Sequence, residues 1–242
     1  MECRAWNEKI EKGTIAKKEY DGINSYLLYG KDSIDVLKHL GENMIFPKNH
    51  EFIKPGEYTK YSYIIIKGKV ASFEGLRDGE ERIYHIHEKN SLFLETNLLF
   101  DQPSPVGFRT MDTVEVIRIK KRELLQAAKI NAKISFALFE SASDKFFSAM
   151  KQVCLVKKYN INWKISDLFL SFADYYGVPY GEKVLIQEKF SQQMVADMLG
   201  INRITAVRAI KHLKDIGCLE QSKGRYYIVN VEKLKVYRDD QE

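Results

Sequence analysis

Residues 191–214, SQQMVADMLGINRITAVRAIKHLK, constrain this chain more than any other stretch, because their apolar spacing fits two short helices joined by a tight turn. Ser191 is a good N-cap, and Met194, Val195, Met198 and Leu199 give the first helix one apolar face. Gly200 takes left-handed backbone without penalty and can end that helix. Asn202 can cap a second helix whose apolar positions, Ala206, Val207, Ala209, Ile210 and Leu213, leave Arg203, Thr205, Arg208, Lys211 and His212 more outward. Such a pair, with a basic outer face, is the arrangement that lays a helix in the major groove of DNA. Arginine at the start of that helix has a definite use: its planar fork matches the O6 and N7 acceptors of guanine, or two oxygens of a phosphate. An ordinary amphipathic helix pair with a solvated basic face is the plain alternative.

The residues that follow favour the DNA reading. Arg203, Arg208, Lys211, Lys214, Lys223 and Arg225 stand against only Asp215 and Glu220, so positive charge is concentrated here. Residues 218–222 and 226–229 alternate like strands around Lys223-Gly224, a hairpin turn that would make the unit a winged helix. The wing, with Lys223, would lie along the phosphate backbone.

The whole chain is less eloquent. Its 242 residues can bury a sizeable core with room for two domains, and 45% apolar with 29% charged residues is a globular composition. The net charge of +5 is a weak pointer to a polyanion. Cys3, Cys154 and Cys218 are odd in number and far apart, which suggests neither a disulfide framework nor a zinc or four-cysteine iron–sulfur site. No apolar run approaches the roughly 20 residues that span a bilayer, and the N-terminus lacks a signal-peptide core. No membrane association and a cytoplasmic location are therefore expected.

Residues 1–41 are not sharply readable, although 33–40 looks like a short capped helix. From 45 to 119, short apolar or alternating runs are punctuated by Pro55-Gly56, Gly68, Asp78-Gly79 and a loop holding Pro103 and Pro105, the pattern of a β-barrel or sandwich. Between 108 and 176 glycine and proline are absent, so the last strand can run into long helical structure. There Ile134, Leu138, Ala142, Phe146, Ala149, Val153 and Val156 follow three- and four-residue steps, while Phe136, Phe139, Phe147 and Met150 add apolar surface elsewhere. A helix apolar on more than one side needs more than one partner. One face on the barrel and another on a second copy would make a parallel-helix homodimer, and burial inside a monomer is the alternative. The pattern breaks at 158–162, where a hinge would fall.

This order of barrel, long helix, hinge and winged helix resembles the Crp/Fnr family of bacterial transcription regulators over residues 45–229. The second DNA helix carries the most specific likeness: INRITAVRAIKHLK is similar to the family's Ser-Arg-Glu-Thr-Val-x-Arg pattern, with Arg203, Thr205 and Arg208 matching. Asn202 stands for the serine and Ile204 for the glutamate; isoleucine cannot accept from cytosine but can touch a thymine methyl, which implies an atypical operator. HEFIKPGEYTKYSYIIIKGKVASF resembles part of the family's β-roll. The resemblance implies an α+β chain: an N-terminal extension over 1–41, a β-roll of double-stranded β-helix type over 42–128, a long dimerisation helix over 129–158 and a winged helix-turn-helix domain over 159–242.

The family's phosphate-binding cassette uses a Gly-Glu pair and, further on, an Arg-Ser pair; the corresponding places read Leu94-Glu95 and Ser104-Pro105. Proline has no amide to donate and leucine crowds the approach. The polar pair that would read adenine falls at Ala149-Met150. Cyclic AMP bound in the usual way is therefore not expected, and no cofactor is assigned; a small-molecule effector, if used, would meet Leu94, Glu95, Arg109, Phe146 and Met150. Tyr84, Phe93, Phe139, Phe146 and Phe147 could line such a pocket or be plain core.

His85 and His87 follow Gly79 at the spacing that opens the cupin metal motif, and residues two apart on a strand share a face. The rest of the motif is missing, since Ser91 and Leu92 occupy the places of its glutamate. Paired barrel histidines, a metal pair or a haem ligand are the readings open for them. No catalytic residues stand out.

The leading reading is a homodimeric, sequence-specific regulator without enzyme activity, with half-sites roughly 34 Å apart. Arg203 and Arg208 would read bases, and Thr205, Gln192, Gln193 and Lys211 would hold phosphates. Activation would further require contact with RNA polymerase. Competing readings are a metal-dependent cupin-type enzyme with a winged-helix appendage and an effector-independent DNA binder.

Overall fold

The computed structural model describes residues 27–28, 32–76 and 79–241. Cys3 and Asp78, and residues 1–26 of the expected extension, lie outside them. Two compact units emerge, one from the described residues up to 154 with Asp197–Gly200 and one from 155–196 and 201–241.

The first unit runs β1 (Leu27–Leu28), a 3₁₀ helix (Asp32–Leu40), β2 (Glu42–Phe46), β3 (Glu51–Ile53), β4 (Tyr61–Lys67), β5 (Val70–Gly75), β6 (Glu81–His87), β7 (Leu92–Phe93), α1 (Glu95–Phe100), β8 (Gly107–Thr110), β9 (Val114–Lys120), α2 (Lys121–Ile130) and α3 (Ala132–Lys158). Its strands form two sheets, ordered β1-β6-β5-β8-β3 and β2-β9-β4-β7. All pairings are antiparallel except β1 with β6. The apolar run of β4 serves both sides of its sheet, because successive side chains point to opposite faces. Tyr63 and Ile65 enter the roll with Phe93, Phe108 and Val116. Ile64 packs outside it with Ile117, Ile119, Leu124, Ile134 and the 3₁₀-helix residues Ile34 and Leu37. Gly56 and Gly68 turn with φ of 86° and 89°, at two of the turns legible in the sequence.

A helix break separates α2 from α3. Asn131 is extended and its side-chain oxygen accepts from the Lys133 amide at 3.0 Å. The face that α3 turns to the roll begins with buried Ile134 and Ala137 and continues through Ser141, Lys145, Ser148 and Gln152. The three- and four-residue apolar stripe divides between the two sides: Ile134 is buried, while Phe146 and Val153 are 61% and 66% exposed. Polar partners on the roll side select the polar face of the helix, and the large apolar residues Phe139, Phe146, Phe147, Met150 and Val153 stand outward.

The second unit holds α4 (Ile161–Tyr176), β10 (Gly177–Tyr180), β11 (Lys183–Ile186), α5 (Gln192–Leu199), α6 (Arg203–Asp215), β12 (Leu219–Ser222), β13 (Arg225–Ile228) and α7 (Val231–Asp239). Asn160 caps α4, accepting from the Trp163 amide at 3.0 Å. A sheet ordered β10-β11-β13-β12 closes over α4. Phe172 stacks on Phe190 at 3.7 Å and Phe169 meets Tyr226 edge-on at 4.9 Å, forming the aromatic centre of this core.

Candidate nucleic-acid interface

The helix pair forms as its caps dictate. Ser191 Oγ accepts from the Met194 amide at 3.1 Å, and Val195, Ala196, Met198 and Leu199 are buried. Gly200 turns the chain with φ 62°, and the Ile201 amide donates back to Ala196 at 3.1 Å. Asn202 then caps α6, its side-chain oxygen accepting from the Thr205 amide at 2.8 Å. That oxygen is engaged in the cap, so Asn202 serves first to hold the helix start.

Ala206, Ala209, Ile210 and Leu213 seat α6 on the core and fix what faces outward. Arg203, Ile204, Arg208 and Lys211 are exposed and Thr205 is half-buried. Ile204, Arg208 and Lys211 lie four and three residues apart and so share one face. Ile204 is 65% exposed, an apolar side chain set in water between charged neighbours. On α5, Gln192 is half-buried and Gln193 exposed.

The wing is a two-residue hairpin. Ser222 pairs with Arg225, and both Lys223 and Gly224 have positive φ, 50° and 77°, the requirement of a type I′ turn. Lys223 and Arg225 are exposed. Lys214 reaches Gln221 on β12 at 2.7 Å and ties α6 to the wing, while Glu220 pairs with Lys183 at 2.6 Å. Of the two local carboxylates opposing the basic face, Glu220 is thus paired on the sheet side.

Inside the roll the expected effector residues part company. Leu94 is buried with φ 63°, and Glu95 after it is 1% exposed. Arg109 points to the other face of its sheet, since Phe108 takes the interior place; it pairs with Glu81 at 2.9 and 2.5 Å and lies 4.3 Å over the Phe73 ring. Phe146 and Met150 stand on the outer side of α3 and line no interior surface with Glu95. Of the aromatic residues grouped with them, Phe93 is core, while Phe139 and Phe147 are 68% and 61% exposed. Ser148 and Gln152 occupy the inward positions expected of Ala149-Met150. Glu95 instead meets α3 through Lys145 and through Ser141 at 3.1 Å.

The roll interior is filled by rings: Tyr63 stacks on Phe93 at 5.2 Å and Phe93 on Phe108 at 5.3 Å. His87 lies 5.9 and 5.5 Å from those two phenylalanines, with neither ring nitrogen bonded among the described residues. Burial, reinforced by His85 and Lys145, holds His87 well below the usual histidine range. Burial, then Lys145, pushes His85 down to about 4. Among the described residues no cluster of three or more histidines, cysteines or carboxylates is arranged to hold a metal ion. No helix among them is long and apolar enough to cross a membrane.

Residues 44–131 match the cyclic nucleotide-binding domain model and residues 164–237 the Crp-like helix-turn-helix model. The chain is similar to the global nitrogen regulator of Nostoc sp., 23% identical over 172 residues, covering 70% of this chain and 77% of that one. It is also similar to the cAMP-activated global transcriptional regulator CRP of Pasteurella multocida, 24% identical over 174 residues, covering 70% and 81%. Among solved structures, CprK complexed with OCPA superposes with a TM-score of 0.70 at 20% identity, covering 90% of this chain and 99% of that one. FixK2 from Bradyrhizobium japonicum gives 0.68 at 20%, covering 81% and 96%. With both halves of the architecture matched, in the order in which the roll and the winged helix follow one another here, the chain belongs to the Crp/Fnr family of DNA-binding transcription regulators.

Proposed function

We propose that two copies of the chain pair through α3 and read a near-palindromic operator, each α6 entering one major groove with half-sites roughly 34 Å apart. The observation that carries this reading is the outward array on α6, where Arg203, Ile204, Arg208 and Lys211 are exposed beside a structurally capped helix start. Arg203 and Arg208 are assigned to base edges, Ile204 to a thymine methyl, and Lys211, Thr205, Gln192, Gln193 and wing Lys223 to phosphates. Phe139, Phe146, Phe147, Met150 and Val153 supply the seam between copies. The roll is assigned to control by an input other than cyclic AMP, because its interior is ring-filled and Leu94 stands where the nucleotide cassette has glycine. RNA polymerase is the partner that activation would use. The protein acts in the cytoplasm and performs no catalysis.

Selection of bound sequences from a random DNA pool, at fixed moderate salt and with Arg203→Ala in parallel, tests the reading. Enrichment of a palindrome that loses preference at one symmetric position in the variant is expected. No enrichment by the intact dimer would refute it.

A further inference from the structure

From Ser141 onward the inward face of α3 is polar where a helix packed on a roll is ordinarily apolar. Three ties run along it. Glu95, at the start of α1, is held through one carboxylate oxygen by Lys145 and by Ser141 at 3.1 Å, and Lys145 also donates to Ser141 at 3.0 Å. His85 Nε2 lies 3.0 Å from Ser148 Oγ. Gln152 Nε2 donates to the Tyr84 carbonyl at 2.6 Å. Positions 141, 145, 148 and 152 recur at helical spacing, so the seam runs for about three turns, roughly 16 Å. The carboxylate of Glu95 is 1% exposed, and the side chain of Lys145 is 23% exposed. These contacts fix the rotation of α3 about its own axis. A slip of one residue turns the helix by about 100° and would carry Phe146, Phe147 and Met150 away from their outward setting.

We propose that the Glu95–Lys145 pair is the chain's own replacement for an activating ligand. Resting on the DNA-binding reading above, it states how that protein is regulated: with no small molecule bound, the pair already bridges the roll to the dimer helix and holds the DNA-binding form. Control then acts by loosening the pair. Two independent observations support this. Leu94, with φ 63°, is buried in the core of the roll with Phe93 and Phe108, so a bulky side chain stands where the nucleotide cassette has glycine. And the link a ligand would make between the roll and α3 is already made by side chains. A ligand can shift a two-state protein only by differential affinity, and a tie built into one state biases the equilibrium by the same logic. A buried charge pair gives little net stability, but an arrangement that separates the partners leaves a buried charge uncompensated, which is the penalty such a tie needs.

The test uses the full-length protein and the operator recovered by selection. Wild-type protein is unfolded in denaturant, washed free of small molecules and refolded, and its mass is checked by native mass spectrometry. Operator affinity unchanged within about twofold, from a dimer of bare chain mass, is expected. Lys145→Met leaves a buried carboxylate unpaired and can fail to fold, so the deciding variant is Glu95→Gln with Lys145→Met, which removes the charge and the tie together. That double variant is expected to remain a folded dimer with the wild-type thermal midpoint within a few degrees, yet to bind the operator at least tenfold more weakly. A tenfold loss of wild-type affinity on stripping would overturn the proposal. So would wild-type affinity in the folded double variant. If neither stripped nor unstripped wild type enriches any sequence, the DNA-binding reading itself fails, an outcome separate from the other two.

Discussion

His85 Nε2 and Ser148 Oγ meet at 3.0 Å across the contact between β6 and α3, and this bond fixes where a half-buried imidazole points. His85 lies 5.9 Å from His87, and Lys145 raises the positive potential at both rings. Both histidines therefore stay neutral in the folded protein across the neutral range.

Acid stability follows from that neutrality. In the unfolded chain a histidine titrates near 6.5, while folded His85 does so only at about 4, so between those values the unfolded state binds more protons. Stability is full above pH 6.5 and falls as pH drops towards 4, by up to about 3 kcal/mol from His85, with His87 adding in the same direction. Urea midpoints measured from pH 7.5 to 4.5 should fall, and His85→Gln, which keeps a donor for Ser148, should shallow the fall. Identical pH curves for the two proteins would remove His85 from the account.

The outward apolar face of α3 predicts assembly. Phe146 and Phe147 are each 61% exposed and contact one another edge-on at 5.6 Å, a patch that water disfavours. Phe147→Asp should weaken the dimer at least tenfold, or about 1.4 kcal/mol. Lys129→Glu, on the exposed side of α2, should leave it unchanged. Sedimentation at micromolar concentration reads both; a Phe147→Asp protein as dimeric as wild type contradicts the seam.

The winged helix and α3 were not equally legible in the sequence, and the difference is physical. On α6, burial follows local three- and four-residue spacing, so Ala206, Ala209, Ile210 and Leu213 announce the inner face and the arginines the outer. The hairpin is equally plain, because alternating runs flank Lys223-Gly224 and Gly224 takes positive φ without penalty. On α3 the inner face is chosen by polar groups far away in sequence, namely Glu95, the His85 ring and the Tyr84 carbonyl. Periodicity of apolar residues cannot report such pairings, and the effector-pocket places that the family resemblance implied for Phe146 and Met150 stand on the outer side of α3. The β10–β11 hairpin and α7 gave weak signals, since much of the hairpin is only half-buried and Leu234 alone is fully buried on α7.

Gly68 combines left-handed backbone with a crowded Cβ position, so its replacement should harm the roll on both counts. Its φ is 89°, and an added Cβ would lie 2.7 Å from both Asp112 Oδ1 and the Thr113 carbonyl. Asp112 cannot move freely, because that oxygen accepts from the Lys69 amide at 2.8 Å. Gly68→Ala should therefore destabilise the protein by about 1–3 kcal/mol. Gly79→Ala, where the added Cβ meets nothing within 4 Å, isolates the conformational part and should cost less. Equal urea midpoints for the two variants would show that the crowding at Gly68 is relieved.

The exposed residues of α6 separate affinity from sequence choice. Lys211→Ala should weaken binding to all sequences alike and reduce the salt slope by about 0.9, the value for one phosphate contact. Arg203→Ala should cost about 1–3 kcal/mol and relax preference at one operator position. Ile204 offers the sharper test, because it is 65% exposed and brings no hydrogen-bonding group to the groove. Glutamate at this place accepts from the cytosine amino group, whereas isoleucine gains only from a thymine methyl. Ile204→Glu should move the preferred base at one symmetric position from thymine to cytosine, with the remainder of the palindrome and the salt slope retained, in the same random-pool selection. If the variant recovers the wild-type operator unchanged, Ile204 does not touch a base and α6 lies deeper or shallower in the groove than its exposed face implies.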